Sequence, residues 1–104
     1  MRQVQPIFTT SCAFPACHSA PAVQKGLDLT TAASAYASLV NVPSAECPTT
    51  FRVDPRLPDS SYIIFKLQGT GPCFHGSQMP LGGVLPAADI ATIRQWILEG
   101  ARNN

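Results

Sequence analysis

The sequence predicts an all-α fold of about four short helices separated by long loops, and two observations predict it. Apolar residues recur at helical spacing in four separate stretches, and proline and glycine crowd the segments between them. Only near Phe51 to Val53 is a short extended piece expected.

Val4, Ile7 and Phe8 fall on one helical face and place a first helix at about Gln3 to Ser11. The stretch "SAPAVQKGLDLT" reads as loop, with Gly26 as a turn residue and Leu27 and Leu29 alternating inward. Thr30 or Thr31 is suited to cap a second helix, "AASAYASLV", whose apolar face carries Tyr36, Leu39 and Val40. That helix ends before Pro43. The following segment, "NVPSAECPTTFRVDPRLP", holds four prolines and no helical period, so it is expected to cross the molecule irregularly.

Asp59 stands where an N-cap belongs, ahead of "SSYIIFKLQ", with Gly69 as the C-terminal stop and Ile63, Ile64 and Leu67 as the buried face. The next loop, "GTGPCFHGSQMPLGGVL", has five glycines and two prolines. This is too much backbone freedom for regular structure unless a ligand organises it. Pro86 opens the last helix, with Asp89 in the first turn. Ile90, Ile93, Ile97 and Ala101 form its stripe, and Trp96 flanks it.

At 104 residues, with no internal repeat, residues 1–104 read as a single domain near the lower size at which one apolar core suffices. Apolar residues make up 45% of the chain and charged residues 12%, which excludes a disordered, highly charged chain. The seven Lys and Arg and six Asp and Glu are scattered singly, so there is no basic stripe to neutralise a phosphate backbone. Nucleic acid is not an expected partner. No apolar run approaches the roughly 18 residues needed to span a bilayer, and "MRQVQPIF" lacks the apolar core of a signal peptide. Four short helices with nearly half the chain in loops bury little side chain by themselves, and a large apolar cofactor would supply the missing core.

The chemistry concentrates in Cys12-Ala13-Phe14-Pro15-Ala16-Cys17-His18. Four cysteines in so short a chain point to an oxidising compartment or a metal-type site, and three pairings of the four are open. One reading is a local Cys12–Cys17 disulfide with His18 an ordinary exposed residue. Another is zinc, for which Cys12, Cys17, His18, Cys47, Cys73 and His75 offer more than the four ligands a structural site needs. Against zinc, the cysteines do not fall into two tight pairs. The third reading is covalent haem: two thiols add across the porphyrin vinyl groups, and a histidine next to the second thiol is carried under the iron.

On this motif the sequence resembles the small single-haem c-type cytochromes, in a variant form with four residues rather than two between the cysteines. "QMP" at 78–80 is similar to that family's distal-ligand loop, and "IRQWILEGA" at 93–101 to its C-terminal helix. "GLDLTTAASAYASLVNVPS" and "PDSSYIIFKLQG" resemble a bacterial branch, so the likeness covers nearly the whole chain.

The resemblance implies a cytochrome c-like fold wrapped around one covalently bound haem c. Cys12 and Cys17 would form the thioethers, and His18 and Met79 would be the axial iron ligands. His75 competes for the distal position, and a bis-histidine site would have a lower potential. Trp96 and Ile97 would meet Ile7 and Phe8 where the terminal helices cross. Leu27, Leu29, Leu39, Val40, Ile63, Leu67, Leu81, Leu85 and Ile93 would line the haem pocket or the adjacent core. Tyr36, Tyr62, Arg52 and Lys66 are candidate donors to the propionates.

The implied function is one-electron transfer rather than catalysis. His/Met ligation keeps the iron six-coordinate in both oxidation states, and methionine raises the potential. Redox proteins would be the partners, docking through an apolar or mixed patch because net charge is near zero. Haem attachment follows export, so a periplasmic or otherwise exported location is implied, with a precursor longer than this chain. Export in turn implies a Cys47–Cys73 disulfide tying the crossing segment to the methionine loop. Two alternatives keep the same cofactor: a module of a larger redox enzyme, and a haem sensor or peroxidase whose methionine is displaceable.

Overall fold

Helix α1, Gln5–Ser11, is seven residues long and starts two residues later than its apolar spacing suggests. The preceding turn is already wound, because the Met1 carbonyl accepts the amides of Val4 and Gln5 at 3.1 and 2.8 Å. Val4 and Phe8, four residues apart, are fully buried on one face, as that spacing requires. The computed structural model describes residues 1–11, 18–19, 22–23, 27–71, 73–74, 78–79 and 85–103, with only the backbone at 18–19 and 22–23.

His18–Ser19 (β1) and Ala22–Val23 (β2) pair antiparallel, His18 opposite Val23. Helix α2, Ala32–Leu39, is capped by Thr31: its hydroxyl accepts the Ser34 amide at 3.1 Å, and the Ser34 hydroxyl accepts the Thr31 amide at 3.1 Å. This is a capping box with serine in the usual Glu or Gln position. Its buried residues are Ala35 and Leu39, while Tyr36 and Val40 are half-buried against the core.

The crossing segment is irregular but well bonded. Val40 bridges Val53 in parallel and Pro43 bridges Phe51 in antiparallel fashion, so the expected extended piece at 51–53 exists. On its other side, the carbonyls of Phe51 and Arg52 accept the amides of Tyr62 and Ile63 at 2.9 and 3.0 Å. These are first-turn amides of helix α3, Tyr62–Gln68, which a helix cannot satisfy internally.

Asp59 is therefore not the N-cap. It lies inside a short 3-10 turn, Pro58–Ser60, and pairs with Arg94 at 2.6 Å in an exposed ion pair of the kind that contributes little to stability. The N-cap is Ser61, fully buried, whose hydroxyl accepts the Asp54 amide and donates to the Leu57 carbonyl, both at 2.9 Å. That hydroxyl organises the preceding proline turn and is not available to the helix. Gly69 stops α3 in the left-handed conformation, as expected. The buried face is wider than Ile64 and Leu67: Tyr62, Phe65 and Lys66 are buried too, and Ile63 is half-buried.

Helix α4, Ala87–Leu98, has Pro86 at its N-cap and Asp89 in its first turn. Ile93 and Ile97 are fully buried, Trp96 nearly so, and Ile90 partly. Ala101 is buried as its spacing suggests but lies beyond the helix, in a left-handed turn whose amide reaches the Trp96 carbonyl at 2.9 Å. The Met1 ammonium and the Trp96 indole N–H both donate to the Arg102 carbonyl at 2.9 Å.

The described residues thus form an all-α fold of four helices, with extended structure confined to β1, β2 and the two isolated bridges. One core unites Val4 and Phe8 with Leu39, Ile64, Leu67, Ile93, Trp96 and Ile97. Phe8, Trp96 and Ile97 all belong to this cluster, with Ile7 packed against it. A smaller cluster gathers Cys47, Tyr62 and Phe65, with Phe74 beside it. No helix among the described residues is long and apolar enough to cross a membrane.

Cys47 and Cys73 are joined as a disulfide across 26 positions, with Cα atoms 5.9 Å apart. Mass spectrometry of unreduced protein is expected to find no free thiol at either position. Closing a loop of this length constrains the unfolded chain by roughly 3.5 kcal/mol in the chain-entropy account. The double variant Cys47→Ala/Cys73→Ala is expected to lose about that much unfolding free energy, read from its urea midpoint.

Candidate functional site

Of the residues singled out in the sequence, Cys12, Cys17, Gly26, His75, Pro80 and Leu81 lie outside the described residues. His18 opens β1 by its backbone, immediately after the cysteine motif. Met79 is described and half-buried, and its position is built from α3 outward.

Past Gly69 the chain must reverse to bring residues 78–79 back to the helix it has just left. Gly71 permits this: its φ is +139°, and an added Cβ would lie 2.6 Å from the Phe65 ring. The returning segment then bonds to the end of α3. The Met79 amide donates to the Lys66 carbonyl, and the Gln78 side-chain amide donates to the Leu67 carbonyl, both at 2.8 Å. The last carbonyls of a helix lack internal partners, so the methionine segment satisfies groups that would otherwise need water. Gly71→Ala adds a backbone penalty to a clash with a ring that is itself buried. It is expected to lower unfolding free energy by roughly 2–3 kcal/mol, measured by urea denaturation.

The half-buried apolar residues Leu27, Tyr36, Val40 and Ile63 pack against the core. Leu29, Leu39, Leu67, Leu85 and Ile93, assigned to the pocket or the core beside it, are buried in the core itself.

The four candidate polar donors divide. Arg52 donates through Nη1 to the Ser38 carbonyl at 2.8 Å, and partial burial pulls its guanidinium below its ordinary pKa by disfavouring the charge. Tyr36 lies among the half-buried residues at the core edge. Tyr62 and Lys66 converge elsewhere, on Glu46. The Tyr62 hydroxyl donates to Glu46 Oε1 at 3.2 Å, and Lys66 Nζ lies 3.0 Å from the same oxygen. Lys66 Nζ also sits 5.1 Å from the centre of the Phe74 ring, close enough for a cation–π contact. The side chains of Lys66 and Glu46 are only 11% and 19% exposed, so each charge depends on the other.

Glu46, Gly71 and Phe74 were not singled out in the sequence, and Gln78 entered only as the first residue of "QMP". Glu46 and Lys66 are twenty positions apart with no periodicity to connect them, and Gln78 is marked only by its adjacency to Met79. No protein-family model, curated protein or solved structure matches this chain.

Proposed function

We propose that the chain is a single-domain c-type cytochrome with a cytochrome c-like fold, an exported one-electron carrier serving redox partner proteins. The structural observation that supports this best is the anchoring of Gln78 and Met79 on the last carbonyls of α3. It fixes the backbone of a half-buried methionine at the C-terminal end of α3. A methionine serving only as a gap filler has no need of a segment so bonded on both residues.

The residues present fit a haem. Cys12 and Cys17 would hold the porphyrin, His18 and Met79 would be the iron ligands, and the apolar residues Leu27, Tyr36, Val40 and Ile63 would border it. When bound, the haem supplies a one-electron couple that no side chain here provides. The chain's own contribution is to hold the thioether sulfur in place and to exclude water from an apolar surround. Both favour the less charged ferrous state.

Zinc is the weaker reading because the disulfide withdraws Cys47 and Cys73, which leaves Cys12, Cys17, His18 and His75 as four ligands with none to spare and no second close cysteine pair. Oxidised and dithionite-reduced optical spectra test the proposal. Sharp visible bands of a low-spin ferrous haem are expected, and a colourless protein that binds zinc would overturn it.

A further inference from the structure

We propose that Glu46 and Lys66, together with the Cys47–Cys73 disulfide, are a clamp that positions Met79 from a distance. The inference rests on the reading of Met79 as a ligand. The methionine segment is held at two places. Downstream, Gln78 and Met79 bond to the carbonyls of Leu67 and Lys66. Upstream, Cys73 is bonded to Cys47, and the Phe74 ring lies beside the Lys66 ammonium.

Lys66 joins the two places, since its carbonyl receives Met79 and its ammonium is set between Phe74 and Glu46. Glu46 and Cys47 are themselves fixed, because both their amides donate to the Ser44 hydroxyl, at 3.2 and 3.3 Å. Cys47 is fully buried, so the upstream hold is made against the packed interior.

The upstream hold matters because of loop length. With it in place, three residues separate Phe74 from Gln78; without it, eight separate Gly69 from Gln78. Loop-closure entropy grows as three-halves of RT times the logarithm of length, so the longer loop closes roughly fourfold less favourably. Removing the Lys66 ammonium has a second consequence. It takes from the largely buried Glu46 carboxylate the counter-charge found beside it among the described residues, which favours the movement of the carboxylate to water.

Glu46→Gln, Lys66→Met and Cys47→Ala/Cys73→Ala test the clamp, with Lys66→Arg as the conservative control. The readout is hydrogen exchange of the Met79 amide relative to the Ile93 and Ile97 amides in α4, measured by NMR on the protein as purified. We expect Met79 exchange to rise roughly fourfold or more against α4 in the first three variants and to stay near native in Lys66→Arg. In haem-loaded protein, carbon monoxide is expected to bind faster by a similar factor. If Lys66→Met fails to fold, Glu46→Gln and the cysteine variant carry the test. Met79 exchange that keeps its native ratio to α4 in the folded variants would overturn the clamp. A native protein without sulfur ligation would overturn the reading of Met79 as a ligand, while the exchange ratio still decides the clamp.

Discussion

After acid–organic extraction of the denatured protein, the haem colour is expected to stay with the polypeptide. On the proposed attachment, two thioethers from Cys12 and Cys17 would survive conditions that dissolve a haem held only by ligation and packing. Colour leaving with the solvent would refute attachment even if haem is bound. Cys12→Ala and Cys17→Ala each leave one thioether, so each variant is expected to retain haem but fold less well. His18→Ala is expected to have the largest effect of all, with loss of the low-spin spectrum, because it would remove the imidazole that the proposal places under the iron.

The second large effect lies at Met79. Ferric protein is expected to show the weak near-infrared charge-transfer band of sulfur-ligated iron, and ferrous protein to bind carbon monoxide slowly. Met79→Ala removes the sulfur but leaves its backbone amide on Lys66, so the segment stays docked while the iron position opens. Fast carbon monoxide binding and peroxidase activity are the expected results. Met79→His is expected to remain six-coordinate at a lower potential, since imidazole favours ferrous iron less than thioether does. Rapid ligand binding by the unmodified protein, with no sulfur band, would replace the carrier reading with a sensor or an enzyme.

What was legible in the sequence followed from local physics. The apolar stripe of α4 and the cap at Thr31 are written within a few residues, and both stand where spacing and capping chemistry put them. Gly69 likewise stops α3 because only a left-handed residue suits that position. Asp59 carries a cap's chemistry, but the first amides of α3, those of Tyr62 and Ile63, are each met by a carbonyl eleven positions earlier, at Phe51 and Arg52.

The site divides in the same way. "CAFPACH" and "QMP" are short motifs, visible at once. The Glu46–Lys66 pair and the return of Gln78 to Leu67 depend on which loops meet in space, and no local pattern encodes that. Tyr62 and Lys66 read in the sequence as candidate propionate donors, but the partner they share is Glu46, in the crossing segment.

The backbone bonding at the start of α3 also bears on how the molecule comes apart. A seven-residue helix is too short to persist alone, since nucleation outweighs the few bonds that follow it. Its first amides are held by Phe51 and Arg52, and that segment is in turn tied to Val42 through the Arg52 amide and to Leu39 through the Val53 amide. The end of α2, the crossing segment and α3 therefore belong to one cooperative unit, a single foldon. When any part of it opens, the helix that carries the methionine anchor opens with it, so the integrity of the site is set by a stretch of irregular chain.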